Sequence, residues 1–169
     1  MFHTVIALAI TMKEGMQPGY YAQIIKKLAD TEALVDRDRT MLFVKPEGRA
    51  AVTAVLDHYG VTYEDGEWLH LGQIEDGWTP TRLWSDYGIE TRSRALFLDR
   101  ALGALVSFEP DKPDSEPSQA EEQLEEHALA ILRPSTGGRP VFAIDRQLLD
   151  LSEGIAKAYR CAVVDNCKR

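Results

Sequence analysis

The sequence predicts an α/β fold with a mixed, partly parallel sheet, helices on both faces and one β-hairpin near residues 61–71. Three observations carry this. Short continuous apolar runs at 5–10 and 41–44 read as strands buried on both faces. Segments with apolar residues at helical spacing separate such runs. Asp65-Gly66 stands between two β-forming runs, the signature of a two-residue hairpin loop.

Taken in order, residues 5–10 form the first strand. Gly15, Pro18 and Gly19 break the chain before a helix over 20–34, whose inner face carries Tyr21, Ile24, Ile25 and Leu28. Asp36-Arg37-Asp38-Arg39 reads as a solvated turn, and 41–44 as the second strand. Pro46 opens a helix with Ala51, Val52, Val55, Leu56 and Tyr59 on one side and Gly60 as its stop. The hairpin follows. Residues 72–108 read as mostly helical. Thr79-Pro80 starts one helix there, and Thr91 or Ser93 caps another that carries Ala95, Leu96, Leu98, Leu102, Leu105 and Val106.

Residues 109–117 contain three prolines and read as an acidic linker between an N-terminal α/β unit, 1–108, and a C-terminal α-β-α-β segment, 118–169. Ser118-Gln119-Ala120-Glu121 fits a capping box for a helix reaching Leu132, stopped by Pro134 and Gly137-Gly138. A strand at 141–144, a helix at 147–159 and a strand at 161–164 complete the chain as a parallel crossover. A segment of that size buries too little surface alone, so it is expected to complete the N-terminal sheet. No internal repeat is evident.

Composition narrows function. The 169 residues hold 27 acids and 19 bases, a net charge of −8. Residues 109–127 alone hold eight acids and one base, so the imbalance is concentrated there. Negative charge disfavours direct contact with duplex nucleic acid and favours a basic protein partner. Glu121, Glu122, Glu125 and Glu126 follow the linker at helical spacing and are the expected partner-binding residues. Trp78, between Asp76-Gly77 and Thr79-Pro80, is the expected aromatic anchor. The function these residues suggest is a non-enzymatic acidic binding module, a regulator or inhibitor of a basic protein, with nucleic-acid-binding proteins as one candidate class.

The alternative is a small metal- or phosphate-dependent enzyme. Parallel strands would gather Glu14, Lys45, Asp145 and Asp165 at their C-terminal ends, where carboxylates hold Mg²⁺ and a lysine meets phosphate. The first reading needs no cofactor. Ser135-Thr136-Gly137-Gly138-Arg139 follows a helix instead of preceding one, which is the wrong order for a phosphate cradle. The four histidines are scattered, and the two cysteines, Cys161 and Cys167, fit neither a disulfide scaffold nor a zinc site. Cys167 is expected in a frayed tail. With no apolar window near bilayer length, no membrane contact and a cytoplasmic location are expected. A homo-oligomeric structural protein built through Trp78 and the neighbouring hairpin is a third possibility.

Overall fold

In the computed structural model, which describes residues 2–167, every strand register is antiparallel. The mixed, partly parallel α/β sheet with helices on both faces is therefore corrected to antiparallel sheets with four short helices. The chain divides into two units, one over His3–Leu69 and one over the remainder.

The first unit runs β1 (His3–Thr11), α1 (Pro18–Asp30), β2 (Leu34–Asp38), β3 (Met41–Val44), α2 (Arg49–His58) and the start of β4 (Thr62–Gln73). Its strands lie in the order β2-β3-β1-β4. Strands β1 and β2 both run against β3. They therefore point the same way with β3 between them, the split βαβ arrangement of ferredoxin-like units. Leu8 and Ile10 of β1 and Leu42 and Val44 of β3 share one core with Ile24 and Leu28 of α1 and Val52 and Leu56 of α2. Residues two apart on a strand share a face, so both helices cover the same side of the sheet. On the other side Phe43 is fully buried and meets Trp68 edge-on at 5.6 Å. Burial on both faces explains the continuous apolar run without any parallel strand.

The second unit contains the end of β4 and then β5 (Trp78–Pro80), β6 (Gly88–Glu90), β7 (Ala95–Asp99), β8 (Gly103–Pro110), α3 (Pro117–Glu125), β9 (Ala130–Leu132), β10 (Val141–Asp145), α4 (Leu149–Ala158) and β11 (Cys161–Asp165). Five of these strands form a sheet in the order β11-β8-β10-β9-β5. The end of β4 is followed in its own sheet by β7 and β6, and His70 on β4 stacks on Phe97 of β7 at 4.6 Å.

Beneath this lies a duplication that the sequence reading misses. The series β8-α3-β9-β10-α4-β11 repeats β1-α1-β2-β3-α2-β4 in element order and in strand order. The second half of each copy is offset by 100 residues: β3 starts at Met41 and β10 at Val141, α2 spans Arg49–His58 and α4 spans Leu149–Ala158. The two cores match nearly position for position. Leu42 and Val44 correspond to Phe142 and Ile144, Leu28 to Leu124, Leu56 to Ala156 and Val61 to Cys161. Even the left-handed residue after the second helix recurs, as Gly60 at φ 67° and Arg160 at φ 59°.

Other elements also differ from expectation. Asp65-Gly66 makes no hairpin, because β4 runs through it as one extended strand. Gly66 is not among the positive-φ glycines; Asp65 instead pairs with Arg49. Residues 72–108, expected as helices, hold β5 to β8 and two single 3₁₀ turns. Pro80 sits in an edge strand, where its missing N–H costs nothing in the ladder. Asp36-Arg37-Asp38 belongs to β2 and not to a turn. Strands β10 and β11 do run the same way, but β8 lies between them.

Candidate functional site

The acidic segment is built on α3. Pro117 occupies the first turn, and the side chain of Glu116, the N-cap residue, makes no capping bond. The expected Ser118 capping box is absent, and the helix stops at Glu125, well before Leu132. Its inner face is set by Ala120 and Leu124, both fully buried in the core shared with α4.

That face divides the four glutamates. Glu121 follows Ala120 inward, is 9% exposed, and accepts from the Arg139 guanidinium at 3.2 and 3.4 Å. Glu125 accepts from Arg133 at 2.7 Å. Glu122 and Glu126 stay exposed. The four therefore do not form one acidic face, as helical spacing alone suggests. Two are neutralised by arginines flanking the Pro134–Gly138 turn, and the sign of that partner was legible in the basic excess of the C-terminal residues. Asp114 likewise pairs with Arg160. Glu109, Asp111, Glu116, Glu122 and Glu126 are exposed and make no ion pair among the described residues.

Burial pushes the Glu121 carboxyl above its ordinary value, with Arg139 pulling the other way. A carboxyl whose folded pKa is raised holds its proton more tightly when folded. Its contribution to stability is present at low pH and is lost as pH climbs from about 4.5, its ordinary value, through the folded value. Glu121→Gln is expected to remove that loss. In thermal unfolding over the acidic range, the wild type should fall relative to the variant as pH rises, whereas parallel curves would refute the assignment.

Trp78 is not an exposed anchor. It is 2% exposed, donates from its indole N–H to the Leu71 carbonyl at 3.1 Å, and meets Phe2 edge-on at 5.9 Å. It offers no surface to a partner or to a second copy.

Within the first unit Glu14 and Lys45 do not converge, because β1 and β3 are antiparallel. Glu14 lies beyond the end of β1 that sits beside Met41, whereas Lys45 follows Val44, which pairs with Ile6 toward the other end. Asp145 pairs with Gly103 and Asp165 with Val106, on either side of β8 at one end of its sheet. There Asp145 has structural work. It accepts the Tyr87 phenol at 2.6 Å, which raises the tyrosine pKa, and accepts the Gln147 N–H at 2.9 Å. Asp165 accepts the Cys167 N–H at 2.9 Å. Among the described residues no group of three or more His, Cys, Asp or Glu is placed to hold a metal ion.

Two open cavities are present, one at the β1–α1 loop and one between the start of the β8–α3 loop and α4 with the turn that follows it. One of about 530 Å³ is lined by Lys13, Glu14, Gly15, Met16, Gln17 and Tyr20. The other, about 370 Å³, is lined by Asp111, Lys112, Glu153, Lys157, Arg160 and Cys161. Of the predicted strand-end residues only Glu14 lines either one. Both cysteines are buried with thiol pKa values raised by burial. Cys167 is no frayed residue; its sulfur accepts the Leu105 N–H at 3.2 Å.

No helix among the described residues is long and apolar enough to cross a membrane. Comparison with protein-family models, curated proteins and solved structures finds no match.

Proposed function

We propose that the chain is a non-enzymatic binding module that regulates or inhibits a basic protein through the acidic segment leading into α3. The observation that carries this reading is the set of five exposed carboxylates, on Glu109, Asp111, Glu116, Glu122 and Glu126, with no ion-pair partner among the described residues. They lie beside a single lysine, Lys112. Charge left without an internal partner raises the negative potential outside the segment and steers a positive surface toward it. A basic, nucleic-acid-binding protein is the partner class that fits, since carboxylates can occupy places that phosphates otherwise take.

The sharpest test separates exposed from internally paired glutamates. Proteins captured on the immobilised chain are expected to be basic and to be released as salt rises, because exposed charge is screened within about 10 Å at 0.1 M. Glu122→Lys with Glu126→Lys should weaken capture of the same proteins at least ten-fold, equivalent to about 1.4 kcal/mol. Capture that ignores both salt and charge reversal would overturn the proposal.

A further inference from the structure

We infer that the outer edge of β11 is a docking site for a second copy of this chain, the two β11 strands pairing antiparallel about a two-fold axis at Val163. This surface uses different residues from the acidic segment and does not depend on that reading.

The ladder between β8 and β11 fixes which backbone groups face outward. Asp111 donates its N–H to the Arg160 carbonyl at 3.4 Å, and Asn166 donates its N–H to the Leu105 carbonyl at 2.9 Å. These bonds bracket the pairs Cys161–Pro110 and Asp165–Val106, whose members therefore exchange no backbone bonds with each other. Pro110 has no N–H to offer, in keeping with that class of pair. The two classes alternate along an antiparallel ladder, so Ala162 and Val164 bond to β8, whereas Val163, opposite Phe108, does not. Among the described strands β8 is the one neighbour of β11. The Val163 N–H and C=O thus point to the open side.

Four described strands end the two sheets, and three of them are blunted against pairing. Strand β2 carries Asp36, Arg37 and Asp38 and a register shift against β3. Strands β5 and β6 have three residues each, one containing Pro80 and the other ending on Glu90. Strand β11 has none of these devices over Ala162, Val163 and Val164, and its register with β8 is unbroken. Ala162 is exposed and both valines are half-buried. Val163 packs against the second core, as do Ile155 and Tyr159, which are also half-buried.

The strand is complementary to itself, and this selects the occupant. A two-fold axis at Val163 sets Val163 against Val163, Ala162 against Val164 and Cys161 against Asp165, so that the whole of β11 is paired. Just beyond, Arg160 meets Asn166. No like charges face each other, the arrangement that destabilises a strand pair. Each Val163 N–H donates to the Val163 carbonyl of the other copy. Both copies use the same surface, so the pair closes and does not grow into a fibre.

The test follows the intact chain from dilute solution up to about 1 mM by sedimentation equilibrium and by hydrogen exchange. The mass is expected to rise to that of two chains and no further. The Val163 amide should become protected only as the dimer forms, while the Ala162 and Val164 amides, which bond β8, are protected at every concentration. Val163→Lys, which sets two ammonium groups against each other at the axis, should leave a monomer. Because Val163 also packs inward, a second variant carries the decision: full-length chain joined by ligation at Cys161, with the Val163 nitrogen methylated. That methyl group stands on the open side and leaves the bonds to β8 intact. It should raise the dissociation constant at least ten-fold, equivalent to about 1.4 kcal/mol. A chain that stays monomeric throughout, a dimer that N-methylation leaves unchanged, or a Val163 amide already protected in the monomer would each overturn the inference.

Discussion

Phe142→Ala is expected to lower the unfolding free energy by about 3–5 kcal/mol, the range for emptying a buried aromatic site. Phe142 is 1% exposed and packs on β10 against the core shared by α3 and α4. Its neighbours along the strand, Ala143 and Ile144, are also fully buried. A typical domain is stable by only about 5–15 kcal/mol, so this one truncation removes a large fraction of the total. Urea unfolding should show a lower midpoint with an unchanged slope, the mark of a stability change without a change in exposed surface. Leu42→Ala, at the matching place in the first copy, is expected to cost about 2–5 kcal/mol. A loss below about 1 kcal/mol at Phe142 would mean the site collapses freely, contrary to the close packing of folded interiors.

The pairing of Leu42 with Phe142 also explains why the duplication is invisible in the sequence. Across 41–60 and 141–160 only Tyr59 and Tyr159 coincide. The cores exchange volume between positions. Phe142 and Phe108 are larger than Leu42 and Ile10, while Ala120 and Ala156 are smaller than Ile24 and Leu56. Such exchanges preserve total volume and pattern, which is what a core requires. Even a buried Val52 can become Ser152, because the serine hydroxyl donates to the Leu149 carbonyl one turn back at 2.7 Å. Element lengths and the burial pattern survive where identities do not.

Helices α1, α2 and α4 were legible because Ile24 with Leu28, Val52 with Leu56, and Ile155 with Tyr159 recur at helical spacing. Strand positions at 5–10, 41–44, 141–144 and 161–164 were legible from a different local signal, continuous apolar runs. Strand direction was not, because it is decided by partners distant in sequence. A continuous apolar run reports burial on both faces and not what buries it. Residues 95–106 failed differently. Two strands interrupted by a turn at 99–102 place apolar residues at spacings that a helix also satisfies. Within the candidate site the clustering of acids was legible, but not their separation. That separation depends on Arg133 and Arg139 folding back onto α3. The edge of β2 carried a local signal, Asp36-Arg37-Asp38, which reads equally as a turn until its pairing with β3 is known.

Gly77→Ala is expected to cost about 2–4 kcal/mol, by a mechanism that a neighbouring glycine can isolate. Gly77 ends a 3₁₀ turn in left-handed backbone at φ 111°. A Cβ there would stand 2.5 Å from the Arg133 carbonyl oxygen. That contact cannot relax cheaply. Arg133 donates its N–H to the Gly77 carbonyl at 3.1 Å, at the point where β5 begins its pairing with β9. Moving either backbone loosens β5 and uncovers Trp78, so the variant should shift tryptophan emission to the red as well as lower the midpoint of unfolding. Gly137 supplies the comparison: it too is left-handed, at φ 83°, but a Cβ there meets nothing within 4 Å. Gly137→Ala should therefore show only the conformational penalty, about 1 kcal/mol, with no change in emission. Equal losses at the two glycines would mean that backbone conformation alone matters and that the seat of β5 on β9 tolerates displacement.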